Sequence, residues 1–144
     1  MASTVSNKIK ALLAKKAIDF ENDSFKIILM ASGFAFDEDA HESYADVSTF
    51  ELSSGNGYTQ NDKTLSGVTV TEDDANNRCS VTWDNVVWTA SGGAIGPTPG
   101  AIIFDDTVTT PTADPIVGYI DFGGEQTQAD GGSATIANVE VRLS

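Results

Sequence analysis

From residue 25 onward the chain consists of short apolar or alternating runs, each closed by a cluster of Gly, Asn, Asp, Ser or Pro. Successive side chains on a strand point to opposite faces, and these turn residues supply the sharp reversals between strands. Such punctuation restricts the chain to a β-rich fold. FKIILMA at 25–31 is an apolar run of buried-strand type, bounded by ENDS and SG. VTVTE at 68–72 alternates apolar and polar residues, as a half-buried strand does. CSVTWDNVVWTA at 79–90 places Cys79, Val81 and Trp83 on one face. Its parity changes at Asp84–Asn85, which predicts a bulge or tight turn there. AIIFDD at 101–106, IVGYIDF at 116–122 and ATIANVEVRL at 134–143 complete the strands, while SGGAIGPTPG reads as a loop. The expected class is mainly β: an antiparallel β-sandwich, jelly-roll or Ig-like, with a single hydrophobic core.

The first twenty residues depart from this pattern. Val5, Ile9, Leu12 and Leu13 follow the i, i+4, i+7, i+8 spacing of an amphipathic helix, which predicts a helix over about 5–17. Lys8, Lys10, Lys15 and Lys16 give residues 1–18 a charge of +4, since no acid occurs there. The whole chain carries −13, so residues 19–144 carry −17. Lys15 and Lys16 suit the negative end of a helix dipole, but Lys8 and Lys10 are not explained that way. An apolar stripe must be buried on the chain's own body, on a sister subunit or on another protein. The expected organisation is an N-terminal helical arm, 1–20, joined to a β-sandwich domain, 21–144. The arm residues Val5, Lys8, Ile9, Lys10, Leu12, Leu13, Lys15 and Lys16 are the candidate interaction site.

Charge and composition narrow the function. Past residue 18 only Lys26, Lys63, Arg78 and Arg142 are basic, too few for a phosphate-binding surface, so nucleic acid is not an expected partner. The apolar runs fall far short of the roughly 20 residues that a membrane-spanning helix needs. One cysteine leaves no internal disulfide to form. The single histidine lies in DEDAHESYAD among Asp37, Glu38, Asp39, Glu42 and Asp46. This stretch lacks the Gly and Glu positions of a calcium loop, and a solvated acidic loop is its simpler reading. Cys79 with His41 could be drawn as nucleophile and base, but Cys79 alternates in register with Val81 and Trp83, as a small buried apolar residue would. Trp83 and Trp88 fit core packing better than a sugar platform. No cofactor, metal site or catalytic residue is expected.

Four stretches carry a resemblance: SNKIKALLAKKAIDFENDSFKIILM, AHESYADVSTFELSSGNGYTQ, GPTPGAIIF and PIVGYIDFGGEQTQADGG. Together they resemble, over nearly the whole chain, a widespread group of small virion proteins of tailed bacteriophages. The most specific parts are the basic helix followed by an acid-rich turn and an apolar strand, and the segment from Asp37-x-x-Ala40-His41 to Gly55-x-Gly57-Tyr58. The resemblance implies a non-enzymatic virion component, made in the host cytoplasm. Within that class the expectation is a capsid decoration, or cement, protein. Its partners would be the major capsid protein and neighbouring copies of itself, in a homo-oligomeric arrangement. Two alternatives stay open: a receptor- or carbohydrate-binding module of the tail, using Trp88 and Tyr58, and a neck or tail adaptor.

Overall fold

The structure is a computed structural model and describes residues 2–144. Its elements in chain order are β1 (Ala2–Val5), α1 (Asn7–Ala14), β2 (Phe25–Leu29), α2 (Tyr44–Val47), β3 (Thr69–Asp73), β4 (Arg78–Trp83), β5 (Val86–Thr89), β6 (Ile95–Asp105), β7 (Ile116–Gln128), β8 (Ser133–Ile136) and β9 (Val139–Leu143). The architecture is mainly β and every strand pair is antiparallel. Three sheets form: β1-β7-β6-β2, β3-β4-β9 and β5-β8. This is consistent with a β-sandwich.

The four-stranded sheet is buried on both faces. Ile27, Leu29, Ala101, Ile103, Val117 and Ile120 point into the larger core with Trp83, Trp88 and Val141. Ile28, Met30, Ile102, Phe104, Ile116 and Tyr119 point the other way. They are covered by Phe34, Phe36, Tyr44 and Val47 from the segment after β2. Strands covered on both sides need apolar residues at successive positions, which accounts for the unbroken runs IILM and AIIF. A single core was expected; the chain has two apolar clusters, one on each face of this sheet.

The N-terminal segment is not a separate arm. Ala2–Val5 forms an edge strand on β7, with Ser3 opposite Ile120 and Val5 opposite Gly118. Here a glycine is required: a Cβ at Gly118 would lie 2.6 Å from the Thr4 carbonyl oxygen. The helix then runs only from Asn7 to Ala14, shorter than the expected span of about 5–17. Ser6 caps it by accepting from the Lys8 N–H (3.2 Å). Lys16 takes a left-handed conformation (φ 59°), which ends it. Val5, Ile9 and Leu12 are buried in the larger core, and Leu13 and Ala17 pack against it. The stripe therefore docks on the chain's own body, one of the three partners the pattern allowed.

Other boundaries also move. The expected loop SGGAIGPTPG contributes Ile95–Gly100 to β6, and the glycine-rich stretch after Phe122 continues β7. Their pairing is irregular, with register shifts at three points. ATIANVEVRL divides into β8 and β9. β3 forms where VTVTE predicts it, yet residues 69–72 are exposed on both faces, because β4 is its only partner strand. Trp83 and Trp88 are both buried, and Trp83 lies 5.5 Å from Phe25 and 6.3 Å from Phe20 between ring centres.

Ile9 is fully buried on α1, so truncating it leaves a cavity where the helix meets the sheets. Ile9→Ala should cost about 2–5 kcal/mol in denaturant unfolding, the range for large-to-small core changes. A surface-mounted helix would lose well under about 1 kcal/mol.

Candidate functional site

Three places concentrate polar chemistry. The first is a buried carboxylate. The turn at 48–50 delivers Glu51 alongside β2, where Leu52 N–H donates to Leu29 O (2.9 Å) and Ala31 N–H to Phe50 O (2.7 Å). Glu51 is only 4% exposed. Its Oε1 accepts from the Tyr58 hydroxyl (2.8 Å) and from Asn61 N–H (2.8 Å), and its Oε2 from the Tyr44 hydroxyl (2.7 Å). Tyr58 in turn accepts from Leu29 N–H (2.9 Å). Burial, with the Glu51 carboxylate beside them, pushes both tyrosine hydroxyls above their ordinary range, so neither ionises at neutral pH. The network is fully paired, with Glu51 and Tyr58 buried and Tyr44 half-buried. It fastens the 44–61 segment to β2 and offers no free group for chemistry. Gly57 permits this path: its φ is +96° and a Cβ there would sit 2.0 Å from the Thr89 carbonyl oxygen.

The second place joins the segment before β2 to the end of β6. Asp105 is fully buried. Its Oδ1 accepts from Thr107 N–H (2.8 Å) and Val108 N–H (3.1 Å), whereas Oδ2 is buried with no partner. Burial, and next the adjacent Asp23 carboxyl, push the Asp105 carboxyl up to about 7. Two neighbouring carboxylates have no proton to share when both are ionised, and a proton on Asp105 supplies the missing donor. Ser24 N–H to Thr107 Oγ1 (2.7 Å) and Asp106 N–H to Ser24 O (2.8 Å) hold the same two segments together.

The third place is the outer surface of the 31–50 cover. Asp37 accepts from Asp39 N–H and Ala40 N–H, and these hydrogen bonds hold its carboxyl below the usual range. His41 Nδ1 accepts from Asp37 N–H (3.0 Å), and its ring stacks on Phe34 at 5.3 Å. Phe50, 49% exposed, lies 5.9 Å from Phe34. The loop touches α1 directly: Asn7 N–H donates to Glu38 O (3.0 Å), the Asn7 amide donates to Asp39, and Lys8 pairs with Glu42 (3.1 Å).

The eight arm residues thus divide in two. Val5, Ile9, Leu12 and Leu13 pack inward, Lys8 is held by Glu42, and Lys10, Lys15 and Lys16 remain exposed. Cys79 and His41 are not brought together: Cys79 lies on β4 between β3 and β9, and His41 sits on the cover of the other sheet. Among the described residues, no group of three or more His, Cys, Asp or Glu side chains could hold a metal ion. A groove of about 430 Å³ opens beside Trp88, Phe122, Gln126, Gln128 and Thr135, with no charged residue in its lining. The Glu51 network and the pairing of Asp105 with Asp23 were not anticipated: Asp105 is visible in the sequence only as the neighbour of Asp106, on the opposite face of a strand, and its burial is set by the fold. Comparison with protein-family models, curated proteins and solved structures returned no match.

Two measurements check this chemistry. Tyr58→Phe leaves Leu29 N–H without its acceptor and removes one donor from Glu51, so it should cost about 1–3 kcal/mol with the fold retained. For Asp105, the folded state holds a proton that the unfolded chain, at the ordinary 3.8, releases. Its contribution is complete below about pH 4 and declines as pH rises through about 7, for a total of the order of 2–4 kcal/mol. Asp105→Asn keeps a donor toward Asp23 at every pH. The variant should therefore gain stability relative to the parent between about pH 4 and about pH 7. An unchanged difference between the two proteins would mean that Asp105 is ionised throughout.

Proposed function

We propose that the protein is a non-enzymatic structural component of a tailed-phage virion, and within that class a decoration protein on the outer surface of the head. The observation that carries this reading is the sequence resemblance, which spans nearly the whole chain. Its most specific segment contains Tyr44, Glu51 and Tyr58, the residues of the buried network. A motif that fixes a scaffold, and not a reactive group, fits a building block better than a catalyst. The packed antiparallel sheets are read as a β-sandwich knob, with an acidic surface that keeps it soluble. Attachment to the major capsid protein and to neighbouring copies would use exposed side chains, Lys10, Lys15 and Lys16 among them, since the apolar stripe of α1 is already covered. Individually weak contacts repeated over a lattice add up by avidity.

Purified particles test the assignment. Quantitative mass spectrometry and labelled-antibody microscopy should find the protein in lattice-wide numbers on the head. A single ring at the neck would favour the adaptor reading instead. The uncharged groove beside Trp88 is what favours a carbohydrate-binding reading, because amide and hydroxyl groups over an apolar floor suit a neutral sugar. Trp88 and Tyr58 themselves are 4% and 2% exposed, so that reading would rest on Phe122 and the glutamines. Binding on a glycan array, lost on Gln126→Ala, would select it.

A further inference from the structure

Lys10, Lys15 and Lys16 form one cationic patch. Lys10 stands on the exposed side of α1, Lys15 closes the helix about 7.5 Å further along its axis and about 140° around it, and Lys16 follows in the left-handed turn. Among the described residues these three are the basic side chains with neither an ion-pair nor a hydrogen-bond partner. Lys8, Lys26, Arg78 and Arg142 each pair with a carboxylate of their own chain, and Lys63 lies over Trp88. At the opposite, N-terminal end of α1 lie the exposed carboxylates of Asp37, Glu38 and Asp39. The acidic loop is joined to the start of α1 by the Lys8–Glu42 pair and by the Asn7 contacts.

Lysines toward one end of α1 and carboxylates at the other form a surface that is self-complementary when two helices lie antiparallel. A twofold axis between them places the lysines of each copy on the carboxylates of the other, so each contact is made twice. A polyanion would satisfy the lysines and leave the loop unmatched; a basic partner would do the reverse. A second copy satisfies both. The net charge of −13 does not forbid this. At about 0.1 M salt, charges more than about 10 Å apart are largely screened, so the facing groups decide the outcome.

We infer that the α1 face and the 37–39 loop together form a docking surface for a second copy of this chain, paired about a twofold axis by reciprocal lysine–carboxylate contacts. This rests on the structural-component reading, because it names the contact by which neighbouring copies would touch.

Sedimentation equilibrium on the intact chain tests it. At about 0.1 M salt the mass should rise with concentration toward twice the monomer, and it should fall back at about 1 M, where screening shortens to about 3 Å. One variant carries Lys10→Glu, Lys15→Glu and Lys16→Glu. A second carries Glu38→Lys and Asp39→Lys, leaving Asp37 to hold the turn. Each alone should stay monomeric with an unchanged circular dichroism spectrum. An equimolar mixture should dimerise, since the reversed patches then match each other. A parent protein that stays monomeric, variants that dimerise like the parent, or a mixture that does not associate would each overturn the inference. Particle binding by a strictly monomeric protein would sink this inference and leave the functional reading standing. A charge-paired dimer that never binds particles would do the opposite.

Discussion

The sheet β1-β7-β6-β2 has apolar residues on both faces, and the rest of the structure is arranged to cover it twice. One cover is made by the other two sheets and α1, and it buries Ile27, Leu29, Ile103 and Ile120. The second comes from the segment after β2, which lays Phe34, Phe36, Tyr44 and Val47 over Ile28, Met30, Ile102 and Phe104. That segment contains little regular structure, and isolated backbone hydrogen bonds such as Leu52 N–H to Leu29 O and Ile116 N–H to Glu42 O tie it down at its edges. The Glu51 carboxylate adds a buried fastening, by binding two tyrosine hydroxyls and a backbone N–H while Tyr58 reaches β2. A buried carboxylate is costly unless every lone pair is occupied. Here the requirement for donors and the requirement for a fastening are met by the same hydrogen bonds.

What could be read from the sequence depended on whether a signal was local. The runs at 25–31, 79–90, 101–106 and 116–122 were legible as strands because burial on one or both faces writes itself into successive residues. The amphipathic spacing of Val5, Ile9 and Leu12 was legible as a helix, but spacing alone does not say what the stripe packs against. Ala2–Val5 was not legible as a strand, since its partner on β7 lies at the other end of the chain. The outer half of the β6–β7 hairpin was hidden by its glycines and prolines, which belong to a register that shifts repeatedly and not to a loop. Neither Asp105 nor Glu51 could be distinguished among 21 acids, because burial is a property of the assembled fold.

The contrast in charge between the first eighteen residues and the remainder takes a different meaning once the helix is docked. Part of it is resolved within the chain, where Lys8 meets Glu42 and Asn7 meets the acidic loop. Of the remaining lysines, Lys10 stands on a helix whose inner side is packed into the core and Lys15 and Lys16 on the turn that closes it, so their backbone is not carried on a swinging tether. A fixed array favours contacts of defined geometry, because little side-chain and backbone freedom is left to lose on binding.

The pairing of β1 with β7 also bears on how the molecule comes into being. Ala2 lies opposite Asp121 and Val5 opposite Gly118, so β1 has no partner until residues 118–121, more than a hundred positions later, have been made. Ile9 and Leu12, synthesised just after it, likewise have no core to enter until then. Loop-closure entropy must be met before such distant contacts contribute, which makes folding slow relative to proteins rich in local contacts. During translation the amino-terminal segment is therefore an unpaired apolar stretch whose neighbouring lysines keep it in solution.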